Sequence, residues 1–328
     1  MTKQRTGESF TFNRPSGPDL VRSEISRRSF IKAAAPLALG LGAIARGQIP
    51  LERGRFGEDD LPLAREQLLK QVNAERASAG LSQLQLDELA CKVAREHARD
   101  MVEGDFLSHW GSDGRKPYHR YSFAGGTEAV QENVSSAQNI QSLTTTGVAK
   151  DLYEMHQSMF REVPPKDGHR KTILFPRHTH VGFGIAILGR SLRIDELYLS
   201  RWVKIDPLPR EAKIKTTVVL RGQLNLSHFL NGVEVFYEPL PSAPKIDWLR
   251  EPRSYGMPPE MSRFLPRLPE RMTYADGSKG SIDIDSSNRF RVRVPLSKEP
   301  GINTLMVWIK TGLPGIAFPA SQICIRVE

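Results

Sequence analysis

Three residues in separate parts of the sequence carry side chains that could do chemistry together: His109, Glu132 and His169. They lie 23 and 37 residues apart, so only tertiary folding can bring them together. Two imidazoles and one carboxylate suit a divalent metal ion, and they favour zinc over calcium or magnesium, which prefer oxygen ligands. The same groups are typical of acid–base catalysis. A structural polar network is the third interpretation that these residue types allow.

The elements that must position these side chains follow from the spacing of the apolar residues. Gly182 and Gly184 lie on one face of a predicted strand, where the missing side chains allow a backbone or a ligand to approach closely. His97 lies on an apolar helical stripe and is interpreted as a packed core histidine. Residues 111–126, rich in glycine and polar residues, are predicted to form a loop. The predicted helices are 62–79, 89–101 and 148–160, and the predicted hairpin strands are 181–188 and 197–205.

The second half of the sequence has a different pattern. Short apolar runs between turn residues predict a smaller all-β sandwich of immunoglobulin-like type over 213–328, which follows a linker at 207–212. This change of pattern predicts two domains that fold independently. A proline-rich connection, 239–270, is expected to cover the domain. The predicted strands are 214–220, 233–237, 289–294, 304–310 and 322–327.

One of these strands carries a regular charge pattern. In 289–294, arginines alternate with Phe and Val, as is typical of a half-buried strand. The arginine face is interpreted as solvated, and it could also meet an anionic cell-envelope polymer.

The first 45 residues have the features of an export signal. Residues Ser26-Arg27-Arg28-Ser29-Phe30-Ile31-Lys32 form a twin-arginine pattern, and Ala43-Ile44-Ala45 provides a small-x-small cleavage site. The weakly apolar stretch between them is too short to span a bilayer as a helix. Residues 46–61 are predicted to be a linker. We therefore expect export by the twin-arginine route to the periplasm or the extracellular space, without a stable membrane span in the mature protein.

Composition and charge narrow the range of functions. Of the 328 residues, 39% are hydrophobic and 25% charged, which is ordinary for a soluble globular protein. The net charge is +9, but no basic run interleaved with aromatic residues occurs, which argues against nucleic acid as a partner. The two cysteines, Cys91 and Cys324, are interpreted as buried free thiols in separate domains rather than as a disulfide.

Six short segments share their order and spacing with a known family. They are Val72-Asn73-Ala74-Glu75-Arg76, 94–101, Ser108-His109, Gln131-Glu132-Asn133, 168–174 and 179–184. On these segments, residues 62–206 resemble a CAP domain of the bacterial (SCP) branch, in the superfamily of cysteine-rich secretory proteins, antigen-five allergens and plant pathogenesis-related proteins. The resemblance implies an α+β protein with a CAP-type α/β/α sandwich and a central cleft. In the family, two His and two Glu line that cleft and can hold a divalent cation, often zinc.

Three of these four cleft positions have a match here, in His109, Glu132 and His169. The second family Glu lies on the helix before the final His, at a position that Met155 occupies in this sequence. Glu154 is the nearest candidate for this fourth metal ligand, but one residue on a helix is about 100° of rotation. His156 is a further substitute.

Two classes of function fit these features. In the first, the protein is an exported binding module whose cleft holds a divalent cation or a small ligand, and whose β domain contacts the cell envelope. In the second, it is a metal-assisted hydrolase of peptides or cell walls, with Glu132 as the general base. Because the sequence has no recognisable Ser or Cys nucleophile motif and no His-Glu-x-x-His, binding is favoured.

Overall fold

A computed structural model of the protein describes residues 62–313 and 315–328. The twin-arginine pattern, the cleavage site and the linker at 46–61 lie outside the described residues. No helix within the described ranges is long and apolar enough to cross a membrane. Helices and one sheet make up the chain from Pro62 to Ser200, and strands dominate from Val203 onward.

The first half contains the three predicted helices, each within a few residues of its predicted bounds. The helices are α1 (Pro62–Ser78), α2 (Glu88–Glu103), α3 (Pro117–Phe123), α4 (Thr145–Phe160) and α5 (Gly168–Ile173). The strands are β1 (Gln85–Leu86), β2 (Ala129–Ala137), β3 (His180–Leu188) and β4 (Ser191–Ser200).

Two predictions for this half are wrong. Residues 111–126 are not all loop, because Pro117 begins α3; its fixed φ and missing N–H suit a first helical turn. The second hairpin strand spans 191–200 rather than 197–205. Three charged residues (Arg193, Asp195 and Glu196) interrupt its apolar run and conceal the strand, although all three are buried.

The four strands form one sheet, in the order β1-β3-β4-β2, with helices on both faces. On one face, α1 and α4 pack against β3 and β4 around Leu68, Leu152 and Phe183. On the other face, α2 and α3 pack against β2 and β4 around Ala94, Tyr121 and Leu197. The first half is therefore a mixed α/β sandwich in which β2 is an edge strand.

Two glycines set the distance between α2 and the sheet. The helix begins at Asp87, whose carboxylate accepts a hydrogen bond from the N–H of Ala90 at 2.7 Å. A Cβ atom on Gly182 would lie 2.3 Å from the carbonyl carbon of Ala90, and one on Gly184 would lie 2.0 Å from that of Ala94. The backbone of α2 therefore lies directly on β3, and the interpretation of these glycines as a site of close approach is confirmed.

The second half is a β-sandwich built from two sheets that share one core. One sheet has the order β10-β11-β7-β5 and the other the order β6-β13-β12-β8-β9. The strands are β5 (Val203–Ile205), β6 (Glu211–Ala212), β7 (Thr217–Leu224), β8 (Phe229–Glu238), β9 (Glu260–Phe264), β10 (Asp283–Ile284), β11 (Arg289–Pro295), β12 (Gly301–Lys310) and β13 (Phe318–Val327). A short helix, α6 (Ile246–Leu249), lies in the proline-rich connection.

The burial pattern confirms two smaller predictions, one for β11 and one for the two cysteines. Along β11, arginines face solvent and the alternating Phe290, Val292 and Val294 are buried. Cys91 and Cys324 are both buried free thiols.

The two halves meet in a contact rich in hydrogen bonds. Val203–Ile205, predicted as the end of the hairpin, instead pairs with β7 in the second half. Glu238, at the end of β8, lies 2.8 Å from the hydroxyl of Tyr118 and 2.9 Å from Nε2 of His119, both on α3. The backbone N–H of Cys324 donates to the hydroxyl of Ser122 at 2.8 Å. Independent folding of the two halves stays a prediction, and these contacts are what separation would break.

Candidate metal centre

The structure brings His109 and Glu132 into direct contact. Glu132 is buried on the edge strand β2, and its Oε2 lies 2.9 Å from Nδ1 of His109, in the segment between α2 and α3. The side chain of His109 is 13% exposed. This pair therefore joins a buried carboxylate to an imidazole that reaches the surface.

Arg120, on α3, holds the same carboxylate from its other side. Its Nη2 donates to Oε1 of Glu132, and its Nη1 donates to the carbonyl oxygens of His109 and Arg115 at 2.9 and 2.8 Å. Burial alone would raise the pKa of Glu132, but Arg120, together with His97 and His109, lowers it below its ordinary value. Glu132 is therefore an ionised carboxylate that two neighbours hold in place.

His169, on α5, has a different carboxylate partner. Its Nδ1 lies 2.6 Å from Oε1 of Glu162, and its backbone N–H donates to Oε2 of Glu162 at 3.0 Å. The side-chain amide of Asn133 donates to the carbonyl oxygen of His169 at 3.2 Å. Because Asn133 follows Glu132 on β2, the two His–carboxylate pairs are connected through neighbouring residues of one strand.

The carboxylate beside His169 comes from Glu162 and not from Glu154, the fourth candidate ligand in the sequence. Glu154 lies on the solvent side of α4, where its side chain is 62% exposed and 3.9 Å from Lys150 Nζ. His156 is buried between two carboxylates in the core, so it does not replace a cleft ligand either. The rotation of about 100° per helical residue accounts for these different directions.

Each of these two histidines (the cleft histidines, His109 and His169) contacts its carboxylate through Nδ1. Among the described residues, neither Nε2 atom has a hydrogen-bond partner. A carboxylate on Nδ1 fixes the tautomer, so that Nε2 carries the free lone pair. The cleft histidine side chains are 13% and 16% exposed, so neither ring is fully enclosed.

A buried group of three ligands shares Glu132 with the first pair. It consists of His97, Glu132 and Asp195, and one ligand atom of each lies within 4.8 Å of the other two. Within the described ranges, no such group of three contains His109 or His169. The structure thus distinguishes two partly exposed His–carboxylate pairs from a buried cluster that the sequence did not indicate.

A tyrosine from the proline-rich connection contacts both Glu132 and His109. The hydroxyl of Tyr255 accepts a hydrogen bond from the backbone N–H of Glu132 at 3.2 Å, and its ring centroid lies 4.9 Å from that of His109. Since β2 is an edge strand, its outward N–H groups need partners from outside the sheet. The second half of the chain therefore supplies part of the wall of the site.

Four residues of the site were not predicted: Arg120, Glu162, Asp195 and Tyr255. Asp195 had a signal, because an acidic residue within a strand of large apolar residues indicates a buried partner. Arg120 and Tyr255 had no signal in the sequence, because the residue that both contact, Glu132, lies 12 and 123 positions away from them. Glu162 lies beyond the end of α4, in a position that the helical pattern does not mark.

Comparisons with known proteins find similarity over residues 69–194. Residues 69–194 match the family model described as cysteine-rich secretory protein family, CAP. The uncharacterized protein YkwD of Bacillus subtilis is 30% identical over 125 residues, which are 38% of this chain and 43% of YkwD. The chain therefore spans less than half of the length of this relative.

Solved structures of other proteins are similar to part of this chain. An extracellular protein with an SCP domain from Bacillus anthracis is 19% identical, with a TM-score of 0.33, and the overlap covers 42% of this chain and 40% of that one. An outer surface protein of Borrelia burgdorferi is 14% identical, with a TM-score of 0.36, and the overlap covers 46% and 99%. The family match and the sequence relative together establish that residues 69–194 of this chain are a CAP domain of bacterial type.

Proposed function

We propose that this protein is an exported binding module whose CAP domain holds a divalent cation, zinc in the first instance, between the cleft histidines. One observation carries the proposal: both imidazoles have a carboxylate on Nδ1, at 2.9 and 2.6 Å, and an Nε2 that has no hydrogen-bond partner among the described residues. Carboxylate–histidine pairs of this kind are the usual support of a zinc ligand, because the carboxylate orients the ring and raises its basicity.

The surroundings of Glu132 favour binding over hydrolysis. A general base must take a proton from the attacking water, and it does so best when its pKa lies near the working pH. Burial acts to raise the pKa of Glu132, but Arg120 and the neighbouring imidazoles lower it, and both carboxylate oxygens are already occupied. Glu132 is thus suited to orienting His109 and poorly suited to accepting a proton.

Replacing His169 with alanine should weaken zinc binding by more than about 100-fold, because the loss of a ligand exceeds the 10- to 100-fold effect of losing a supporting carboxylate. Glu162→Gln should give that smaller loss. Binding to the unaltered protein should also weaken as the pH falls through the imidazole range, since protons compete for the same lone pairs. Calorimetric titration of zinc into the full chain measures all three effects.

His228→Ala, in the second half of the chain, is the matched control for the loss of an imidazole and should bind zinc as the unaltered protein does. Equal zinc affinity in the unaltered protein and the His169→Ala variant would show that the cleft histidines are structural. The proposed function would then fail.

We also propose that export uses the twin-arginine route. The basis is Arg27-Arg28 followed by Phe30 and the site Ala43-Ile44-Ala45. Replacing both arginines with lysine keeps the charge but removes the pattern, so the variant should accumulate in the cytoplasm. Immunoblots of cell fractions measure this, and export of the variant at the normal level would refute the proposal.

A further inference from the structure

We infer that His97, Glu132 and Asp195 form a second, buried site for a first-row divalent cation such as zinc. The inference goes beyond the cleft proposed above, because two of the three ligands belong to neither cleft pair. One ligand atom of each residue lies within 4.8 Å of the other two. Ligand atoms at about 2.0–2.2 Å from one ion lie at most about 4.4 Å apart, so these three atoms lie at about the span of one ion and would close onto it when it binds.

The tautomer of His97 leaves one of its nitrogens without a partner. Nε2 lies 2.9 Å from the carbonyl oxygen of Ser108, and a carbonyl can only accept, so Nε2 carries the hydrogen. In a neutral ring that carries its hydrogen on Nε2, Nδ1 holds a lone pair. Nδ1 is buried and has no hydrogen-bond partner in the part of the chain that the structure describes. His97 therefore directs a free lone pair into the interior.

Asp195 has two buried oxygen atoms, Oδ1 and Oδ2, that receive no hydrogen bond from the described residues. It is 0% exposed, and its nearest polar neighbour is the carboxylate of Glu132, which is itself an acceptor. A buried polar atom without a partner costs about 1–3 kcal/mol, so three such atoms beside one another call for a ligand or a proton among them. A divalent cation would satisfy Nδ1 of His97 and the carboxylate of Asp195 at once, it would take a further lone pair of Glu132, and it would offset the negative charge of both carboxylates.

The fold positions these three residues by direct packing rather than through loops. Asp195 is paired with Gly184 on β3 and with Val134 on β2, two residues from Glu132. Residues two apart share a face of a strand, so Asp195 and Glu132 face the same side of the sheet. The contact of Ala94 with Gly184 brings α2 down onto that face, and His97 lies on the same helical stripe one turn later.

The donor set indicates the kind of ion. One imidazole nitrogen and two carboxylates suit zinc or manganese, whereas calcium takes six to eight oxygen ligands. Because the site is closed, the ion would enter during folding and exchange slowly afterwards. The cleft ion, held by the partly exposed cleft histidines, would exchange quickly. This difference in exchange separates the two sites in an experiment.

The test uses the full chain, unfolded in denaturant with chelator, refolded with excess zinc and then dialysed against metal-free buffer. Mass spectrometry of the metal content should find one equivalent of zinc in the unaltered protein and also in the double variant His109→Ala/His169→Ala. Asp195→Asn, which keeps the side-chain volume, should retain none, and neither should His97→Gln. Glu96→Gln, on the solvent face of α2 beside His97, is the matched control and should retain the full equivalent.

The outcomes distinguish this site from the cleft. Zinc retained by the double variant and lost from Asp195→Asn supports the buried site, even where titration shows that the cleft binds nothing. Refolded unaltered protein that retains no metal overturns the inference, because it would show that a proton on Asp195 satisfies the cluster. The inference is also overturned if the Asp195→Asn variant retains as much zinc as the Glu96→Gln variant. Refolding the unaltered protein with Co²⁺ tests the inference without any variant. A strongly absorbing visible band that persists after dialysis supports a buried site of low coordination number. The absence of that band overturns the inference.

Discussion

Replacing His156 with leucine should lower the free energy of unfolding by about 3–5 kcal/mol near neutral pH, the cost of breaking a buried ion pair by removing one partner. His156 is fully buried, with Nδ1 2.6 Å from Oε1 of Glu196 and Nε2 2.8 Å from Oε2 of Glu75. Both ring nitrogens are donors only in the charged imidazolium. The variant would leave two carboxylates in the core with no cation between them.

The pH dependence of stability identifies this mechanism. Burial alone would lower the pKa of His156, but Glu196 and Glu75 raise it to about 10. Because the folded-state pKa exceeds the ordinary value of about 6.5, the stabilisation is complete below that value and is lost as the pH rises towards 10. Urea unfolding at about pH 6, 8 and 10 should therefore show the difference between the unaltered protein and His156→Leu shrink with rising pH.

Lys150→Ala is the control on the same helix. It removes an exposed pair with Glu154 at 3.9 Å and should change stability by less than about 0.5 kcal/mol. A stability difference between the unaltered protein and His156→Leu that stayed constant from pH 6 to pH 10 would mean that His156 is neutral in the core, contrary to this account.

Inserting a methyl group into a packed core costs about 1–3 kcal/mol. Gly184→Ala should lower the free energy of unfolding by at least that amount. The new Cβ would lie 2.0 Å from the carbonyl carbon of Ala94 and 2.1 Å from its oxygen, and both belong to the backbone. No side-chain rotation can relieve such a contact, so α2 must move away from β3. Thermal unfolding measures the loss of stability.

The same substitution should also remove the buried zinc. Moving α2 takes His97 away from Asp195, so the refolded variant should retain no metal. Gly312→Ala is the control, because a Cβ atom at that position would meet nothing within 4 Å. A Gly184→Ala variant with normal stability and a full equivalent of zinc would contradict the proposed role of this close approach.

The parts of the fold that the sequence predicted are those in which neighbours along the chain determine burial. Helices α1, α2 and α4 appear as apolar residues at helical spacing, and β11 appears as a strict alternation of arginine with Phe and Val. Such periodicity is local, so it can be recognised in the sequence without knowing which surface the element packs against. Strand β4 was mislocated because its buried charges are compensated only in three dimensions, Glu196 by His156 and Arg193 by the carbonyl oxygen of Phe106.

The candidate site divides in the same way. The sequence by itself identified His109, Glu132 and His169 as candidate site residues, because each lies in a segment that resembles a motif of the CAP family. Only the tertiary structure decided how they are used: Glu162 rather than Glu154 supports His169, and Arg120 holds Glu132. It also brought Asp195 and His97 together across the sheet. The physical reason is that hydrogen bonds and metal ligation depend on distances of a few ångströms between atoms, and only packing of the whole domain sets those distances.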